Sequence, residues 1–368
     1  MLTTAIGDLA DLNFINAAMA SPPTVALGVA NAASTIASSY AVLPQDPRFT
    51  YFGGKVALAG GSYPDNLYYR GVGVTSANNY SCPYVEFETD ADLIEIYEKG
   101  LNGVYQLWVD GLPVTLNQQA GPAADGSLYC RLVTFASAVP RRIRVHMGAS
   151  YYFGGVRVGP NHTVWPITTP VRPLAIAFGD SLFEGSSSVA GMGPSCCAFE
   201  IGRVLGLNLW ASGAGGTGYI ANGGGGGKVK FEDRVQADVI ANNPEIVIVF
   251  GGVNDTSSSY DQIFAAADSF YATLQGGLPK ARIFVIGCHA PSTPIAAIRA
   301  ECNRAISNVC QRRGLTFINP QGMFTGIFST PNSGSAALYI ASDGIHPNLD
   351  GHRYYGRRLA QLMVPFLN

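Results

Sequence analysis

The sequence predicts an α/β protein: a doubly wound domain on a parallel five-stranded sheet, preceded by a small β-sandwich or jelly roll and an Ala-rich N-terminal arm. Three observations predict it. Residues 1–47 are rich in Ala and carry no charge from Leu12 to Gln45. Residues 48–168 repeat short alternating apolar and polar runs with turn residues between them. From residue 169 to the end, short apolar runs alternate with helix-length stretches, the pattern of a sheet covered on both faces.

The arm reads as one or two helices, punctuated by Pro22-Pro23 and Pro44, that pack on the body or on a neighbouring subunit of a homo-oligomer. No Lys or Arg precedes Arg48, so the start lacks the basic segment of a signal peptide, and a cytoplasmic or non-classically exported protein is expected. Thr24–Leu43 is long enough to span a bilayer. Its Asn31, its Ser and Thr residues and its lack of a positive flank speak against that.

The β-rich region places strands at Asn66–Thr75, Tyr84–Glu88, Leu93–Glu98, Val104–Val109, Ser127–Thr134, Arg142–His146 and Phe153–Val158. Asp110-Gly111 and Asp125-Gly126 supply turns. Pro166, Pro170 and Pro173 form a stiff linker, with the boundary near residue 168. The seven cysteines show no disulfide framework and read as mostly free, buried thiols; Cys82 and Cys130 could pair in an exported protein.

In the C-terminal half, strands are expected at Leu174–Phe178, Leu207–Trp210, Glu245–Phe250, Arg282–Ile286 and Leu315–Ile318. Helices are expected at Ser195–Leu205, Tyr260–Leu274, Ile295–Arg313 and Asp350–Phe366. Several of these strands run into chemistry-bearing residues. Ser181 follows the first, in Gly179-Asp180-Ser181-Leu182, where an open parallel sheet binds ligands. A serine hydroxyl needs a base to become a nucleophile. Asp343-Gly344-Ile345-His346 offers one, with Asp343 spaced to hold the imidazole in one tautomer. Asn254, in Gly251-Gly252-Val253-Asn254-Asp255, brings an amide donor to another strand end. The glycine-rich turn Gly213–Gly218 exposes backbone N–H groups to an oxyanion. Each block alone is compatible with a cap or a turn; in this order, each placed where the site needs it, they read as one.

These blocks resemble the GDSL or SGNH hydrolase superfamily over roughly residues 172–368. The resemblance implies a flavodoxin-like domain in which Ser181 is the nucleophile, His346 the base and Asp343 its orienting partner. It implies an oxyanion hole made of the Ser181 and Gly215 N–H groups and the Asn254 amide, with no cofactor and no metal. A β-sandwich ahead of such a domain is similar to the two-domain carbohydrate acetylesterases, carbohydrate esterase family two among them. The expected substrate is therefore a small acyl ester or an acetylated carbohydrate. A lipase, arylesterase or thioesterase, and a glycan-binding module with little catalysis, are the alternatives.

Other patterns fail. Phe183 stands where Gly-x-Ser-x-Gly needs its second glycine. The Gly223–Gly227 run before Lys228 lacks the first glycine and the hydroxyl residue of a phosphate loop, and reads as a flexible loop and candidate lid. Cys196-Cys197 and Cys288-His289 lack zinc spacings; Cys288 and His289 follow a strand and read as packing residues, with a place lining the cleft as the alternative, and His146, His162 and His352 read as packing or surface residues. A net charge of −2 with no basic run excludes nucleic acid as an expected partner and gives no electrostatic reason to bind a membrane.

Overall fold

The computed structural model describes residues 17–59, 68–72, 83–148, 150–168, 172–186, 194–225 and 227–367. They form two compact units, one drawn from Phe14–Val72 and Ser81–Thr169 and the other chiefly from Pro170–Asn368.

The first unit is built of two antiparallel sheets. One runs Thr24–Leu27, Leu128–Thr134, Leu93–Lys99, Tyr152–Val158, Tyr69–Val72, Lys55–Leu58, with Tyr40–Val42 also paired to Tyr152–Val158. The other runs Gln119–Ala120, Val104–Val109, Arg141–Met147, Tyr84–Thr89, Val164–Trp165, with Thr50–Phe52 and Leu112–Pro113 added at its sides. Alternate residues of both sheets, Ile94, Ile96 and Phe153 from one and Val85, Phe87 and Val145 from the other, share a single apolar core. Phe49 bridges it, its ring 5.3 Å from those of Phe87 and Phe153.

The expected helical arm is corrected here. From residue 17 onward it contributes strands to the β-rich unit, and residue 47 marks no boundary. Thr24–Leu27 lies antiparallel on Thr134–Arg131, and Tyr40–Val42 on Val158–Val156. Strands of three or four residues are too short to show a period, and partners more than a hundred residues away stabilise them, so local composition could not reveal them. Residues 1–16 and Cys82 lie outside the described residues, and Cys130 is a buried free thiol. No helix among the described residues is long and apolar enough to cross a membrane.

The second unit holds a five-stranded parallel sheet in the order Asn208–Gly213, Leu174–Gly179, Ile246–Phe250, Arg282–Ile286, Thr316–Ile318. Its strands read as continuous apolar runs because both faces are covered. Ala175 and Ala177 face a layer containing the helices Cys197–Val204 and Leu349–Met363. Ile176 and Phe178 face the layer of Phe231–Asp238, Tyr260–Gly277 and Ala297–Arg313. Tyr260–Gly277 shows why such segments are helical. Ser259 closes a capping box with Gln262, and Ile263, Ala267, Phe270, Tyr271 and Leu274 form one buried stripe. The Phe231–Asp238 helix has no sequence forecast. It is short and polar, and it buries Arg234 and Asp238 beside Phe231 and Val235.

The sheet order reverses beside Leu174–Gly179, so a crevice opens at its carboxyl end. Gly179 pairs with Gly213 on one side and with Phe250 on the other. Ser181, Gly215 and Asn254, a few residues beyond these partners, therefore lie on one edge.

Candidate active site

Ser181 opens the short helix Ser181–Glu184, directly after its strand. Asp180 caps it, accepting the Leu182 N–H at 2.9 Å. The helix lies so close to the neighbouring strand that a Cβ on Gly213 would overlap the Glu184 backbone nitrogen, which only glycine avoids. From below, Cys197 Sγ donates to the Leu182 carbonyl at 3.2 Å, and Cys196 Sγ to that of Phe183 at 3.6 Å. His352 Nδ1 accepts the Cys197 N–H at 3.3 Å. The adjacent cysteines thus cradle the serine helix.

The second half of the site is a surface turn. Gly344 takes φ +71°, and Gly344 N–H and His346 O both bond back to Ala341, at 3.0 and 2.8 Å. Asp343 Oδ1 accepts the N–H groups of Ile345 and His346 at 2.9 and 3.0 Å. Its Oδ2 accepts from His346 Nδ1 at 2.7 Å. His346 Nε2 then stands 2.7 Å from Ser181 Oγ. Asn348 closes the turn, capping the last helix through Gly351 N–H at 2.8 Å. Residues 165 apart in the chain thus form one hydrogen-bonded line of hydroxyl, imidazole and carboxylate.

Asn254 Nδ2 donates one of its hydrogens to Thr217 O at 2.9 Å, which leaves the other for a ligand. Gly215 lies in the Ala214–Thr217 turn, against the Glu184 carboxylate. The Gly223–Gly227 run packs its first residue on Gly216, and Lys228 just after it pairs with Glu184 at 3.2 Å. Gly226 lies outside the described residues.

Four residues support this edge in ways the sequence reading did not assign to them. Asp255 accepts the N–H groups of Tyr219, Ile220 and Ala221 at 2.9–3.0 Å, tying down the segment after the glycine turn. Buried Arg234 pairs with Asp238 at 2.9 Å and donates to Gly179 O at 2.5 Å, directly before the serine turn. His289, read as packing, is indeed buried, and it also reaches Ile345 O. Sequence signals existed only for two of these: the second half of Gly-x-Asn-Asp for Asp255, and the i, i+4 spacing of Arg234 and Asp238.

Asp180 is the fourth. Its Oδ2 is buried with no hydrogen-bond partner among the described residues. Burial raises its carboxyl to about 7; the Leu182 N–H opposes the rise and the charge of Asp255 adds to it. In the unfolded chain it ionises at about pH 4. The folded protein therefore holds this proton more tightly, and the stabilisation is full below about pH 4 and lost as pH climbs through about 7. Asp180→Asn keeps an oxygen for the cap and cannot ionise. Its melting temperature should gain on that of the unaltered protein from about pH 4 to 7 and then hold level. A difference that does not vary with pH in thermal melts would contradict this.

A parallel sheet of this order, with a serine, a histidine and a carboxylate joined at its carboxyl edge, has the groups that acyl-ester hydrolysis requires. Residues 177–354 match the model of the GDSL-like Lipase/Acylhydrolase family, so this part of the chain is a GDSL-like acylhydrolase domain and the protein an esterase. Among solved structures, the chain is similar to the salicylyl-acyltransferase of a tetracycline biosynthetic pathway, at 14% identity and TM-score 0.66, over 90% of this chain and 98% of that one. It is similar to a family two carbohydrate esterase from Cellvibrio japonicus, at 14% identity and TM-score 0.62, with the same coverages. An active-site mutant of a family two carbohydrate esterase from Clostridium thermocellum matches at 18% identity and TM-score 0.60, over 87% and 98%. These likenesses establish the fold: an SGNH/GDSL-type α/β domain with a separate N-terminal antiparallel β-rich region. A search of curated protein sequences finds no match.

Proposed function

We propose that the protein is a serine esterase that removes acetyl or other short acyl groups, with an acetylated carbohydrate as the substrate class. The observation that carries this reading is the line from Ser181 Oγ through His346 to Asp343, with both links at 2.7 Å. Ser181 Oγ attacks the ester carbonyl while His346 Nε2 takes its proton. Asp343 holds the imidazole by Nδ1 and stabilises the cation that forms. The tetrahedral oxyanion is received by the Ser181 and Gly215 N–H groups and the Asn254 amide. His346 returns the proton to the leaving alcohol. Water, activated by the same histidine, then releases the acid from Ser181.

The carbohydrate part of the proposal draws on the shared two-part architecture: family two carbohydrate esterases align over nearly their whole length, β-rich region included. In this reading that region is a jelly-roll-like accessory domain that helps to select the substrate. Hydrolysis of p-nitrophenyl esters from acetate to palmitate tests the acyl preference. Turnover confined to acetate and propionate is the expected result, followed by release of acetate from acetylated polysaccharide. A peak at long chains would replace the carbohydrate reading with a lipase-like one. Binding of polysaccharide without turnover of any ester would make the protein a binding module. Asn254→Ala should lower kcat about 10²–10³-fold with little change in KM, measured on the acetate ester.

A further inference from the structure

We propose that His289 is a positioning residue for His346: its Nε2–H grips the Ile345 carbonyl and so fixes the turn that aims His346 at Ser181. This rests on the reading of His346 as the base.

His289 follows the Arg282–Ile286 strand and is wholly buried. Its Nε2 lies 2.8 Å from Ile345 O, and its Nδ1 lies 2.9 Å from the Tyr355 hydroxyl. A carbonyl oxygen can only accept, so Nε2 must carry the proton. Nδ1 is then the lone-pair nitrogen, and Tyr355 O–H donates to it. Tyr355 sits on the Leu349–Met363 helix, which begins three residues after His346. The imidazole therefore joins three parts: the end of an interior strand, the last helix, and the turn carrying Asp343 and His346.

The rest of the geometry agrees. Burial lowers His289 to about 3, against the pull of the Ile345 carbonyl, so the ring stays neutral and keeps one donor and one acceptor. Arg299 Nη1 donates to the His289 carbonyl at 3.1 Å, and Gln321 Nε2 to that of Cys288 at 3.3 Å, which fixes the backbone on both sides. The ring also packs edge-on against Phe324, with centroids 5.7 Å apart. The turn itself is on the surface, with Ile345 36% exposed. Its bonds to Ala341 close within the same loop, whereas the His289 bond reaches the buried strand end. A misplacement of ~1 Å in a reacting group costs about 10² in rate. An anchor one residue from the base is well placed to prevent it.

Three substitutions and one control test this on p-nitrophenyl acetate. His289→Phe keeps a ring of similar size and removes the N–H; His289→Leu removes ring and N–H; His289→Gln keeps an N–H that can reach Ile345 O. The expected result is a kcat lowered about 10- to 100-fold in the Phe and Leu variants, with KM within about two-fold, and recovery to within about three-fold in Gln. Thermal melts confirm that each is folded at the assay temperature. Folded Phe and Leu variants with unaltered kcat would overturn the proposal, as would a Gln variant as slow as they are. If neither apolar variant folds, His289→Gln decides alone: near-normal kcat supports the donor role, and a collapsed kcat in a folded protein refutes it. Ser181→Ala is the control. Should it keep its activity, the reading of Ser181 and His346 fails, and the His289 proposal that rests on it falls too; with Ser181→Ala inactive, the His289 variants test the positioning role alone.

Discussion

Replacing Ser181 with Ala is expected to lower ester turnover about 10⁴–10⁶-fold in a protein that folds and melts as before. The change removes one oxygen from a residue that is 6% exposed, and leaves the Asp180 cap and the cysteine cradle in place. What is lost is the hydroxyl that His346 faces at 2.7 Å, the proposed nucleophile. The activity expected to remain is that of water in a site that still holds the proposed oxyanion donors. His346→Ala should cost a similar amount, because without the base the hydroxyl stays protonated. The double variant should be no slower than either single one, since serine and histidine act as a unit. Steady-state rates on p-nitrophenyl acetate check all three, and additive losses would show that the two residues act separately.

Asp343→Asn is expected to lower kcat about 10⁴-fold while the turn keeps its shape. One carboxylate oxygen accepts two backbone N–H groups, from Ile345 and His346, and the other accepts from His346 Nδ1. An asparagine can satisfy the two backbone donors only by turning its oxygen to them, and its NH₂ then faces Nδ1. That selects the tautomer with the proton on Nε2, which meets Ser181 with a donor where a lone pair is needed. A loss of less than ten-fold, read from kcat on the same ester, would mean that Asp343 does not set the tautomer.

Much of this site was legible because it lies where strands end. Ser181 and Asn254 each follow an apolar run that has nowhere to lie but inside a sheet, and Asp343 and His346 are three residues apart in a turn. The parallel sheet was legible for the same reason. Its five apolar runs are covered on both faces; Arg282–Ile286 has the expected bounds and the other four differ from them by one to three residues at one end or both. What escaped notice depends on contacts between distant segments. Arg234 becomes a support for the serine turn only because its helix lies under Gly179. Nothing near His289 in the chain points to Ile345, 56 residues later. The arm failed for a similar reason. Thr24–Leu27 and Tyr40–Val42 are strands only because Leu128–Thr134 and Tyr152–Val158 lie beside them. An Ala-rich, uncharged stretch reads as helix until those partners are known.

The most direct measurement asks whether Ser181 carries the covalent chemistry. The protein would be treated with a fluorophosphonate ester, which phosphonylates an activated serine, then digested and its peptides weighed. The expected result is one phosphonyl group per chain on Ser181, activity lost in step with its attachment, and no label in Ser181→Ala. Full activity after treatment, or loss of activity with the label on another residue, would contradict Ser181 as the nucleophile.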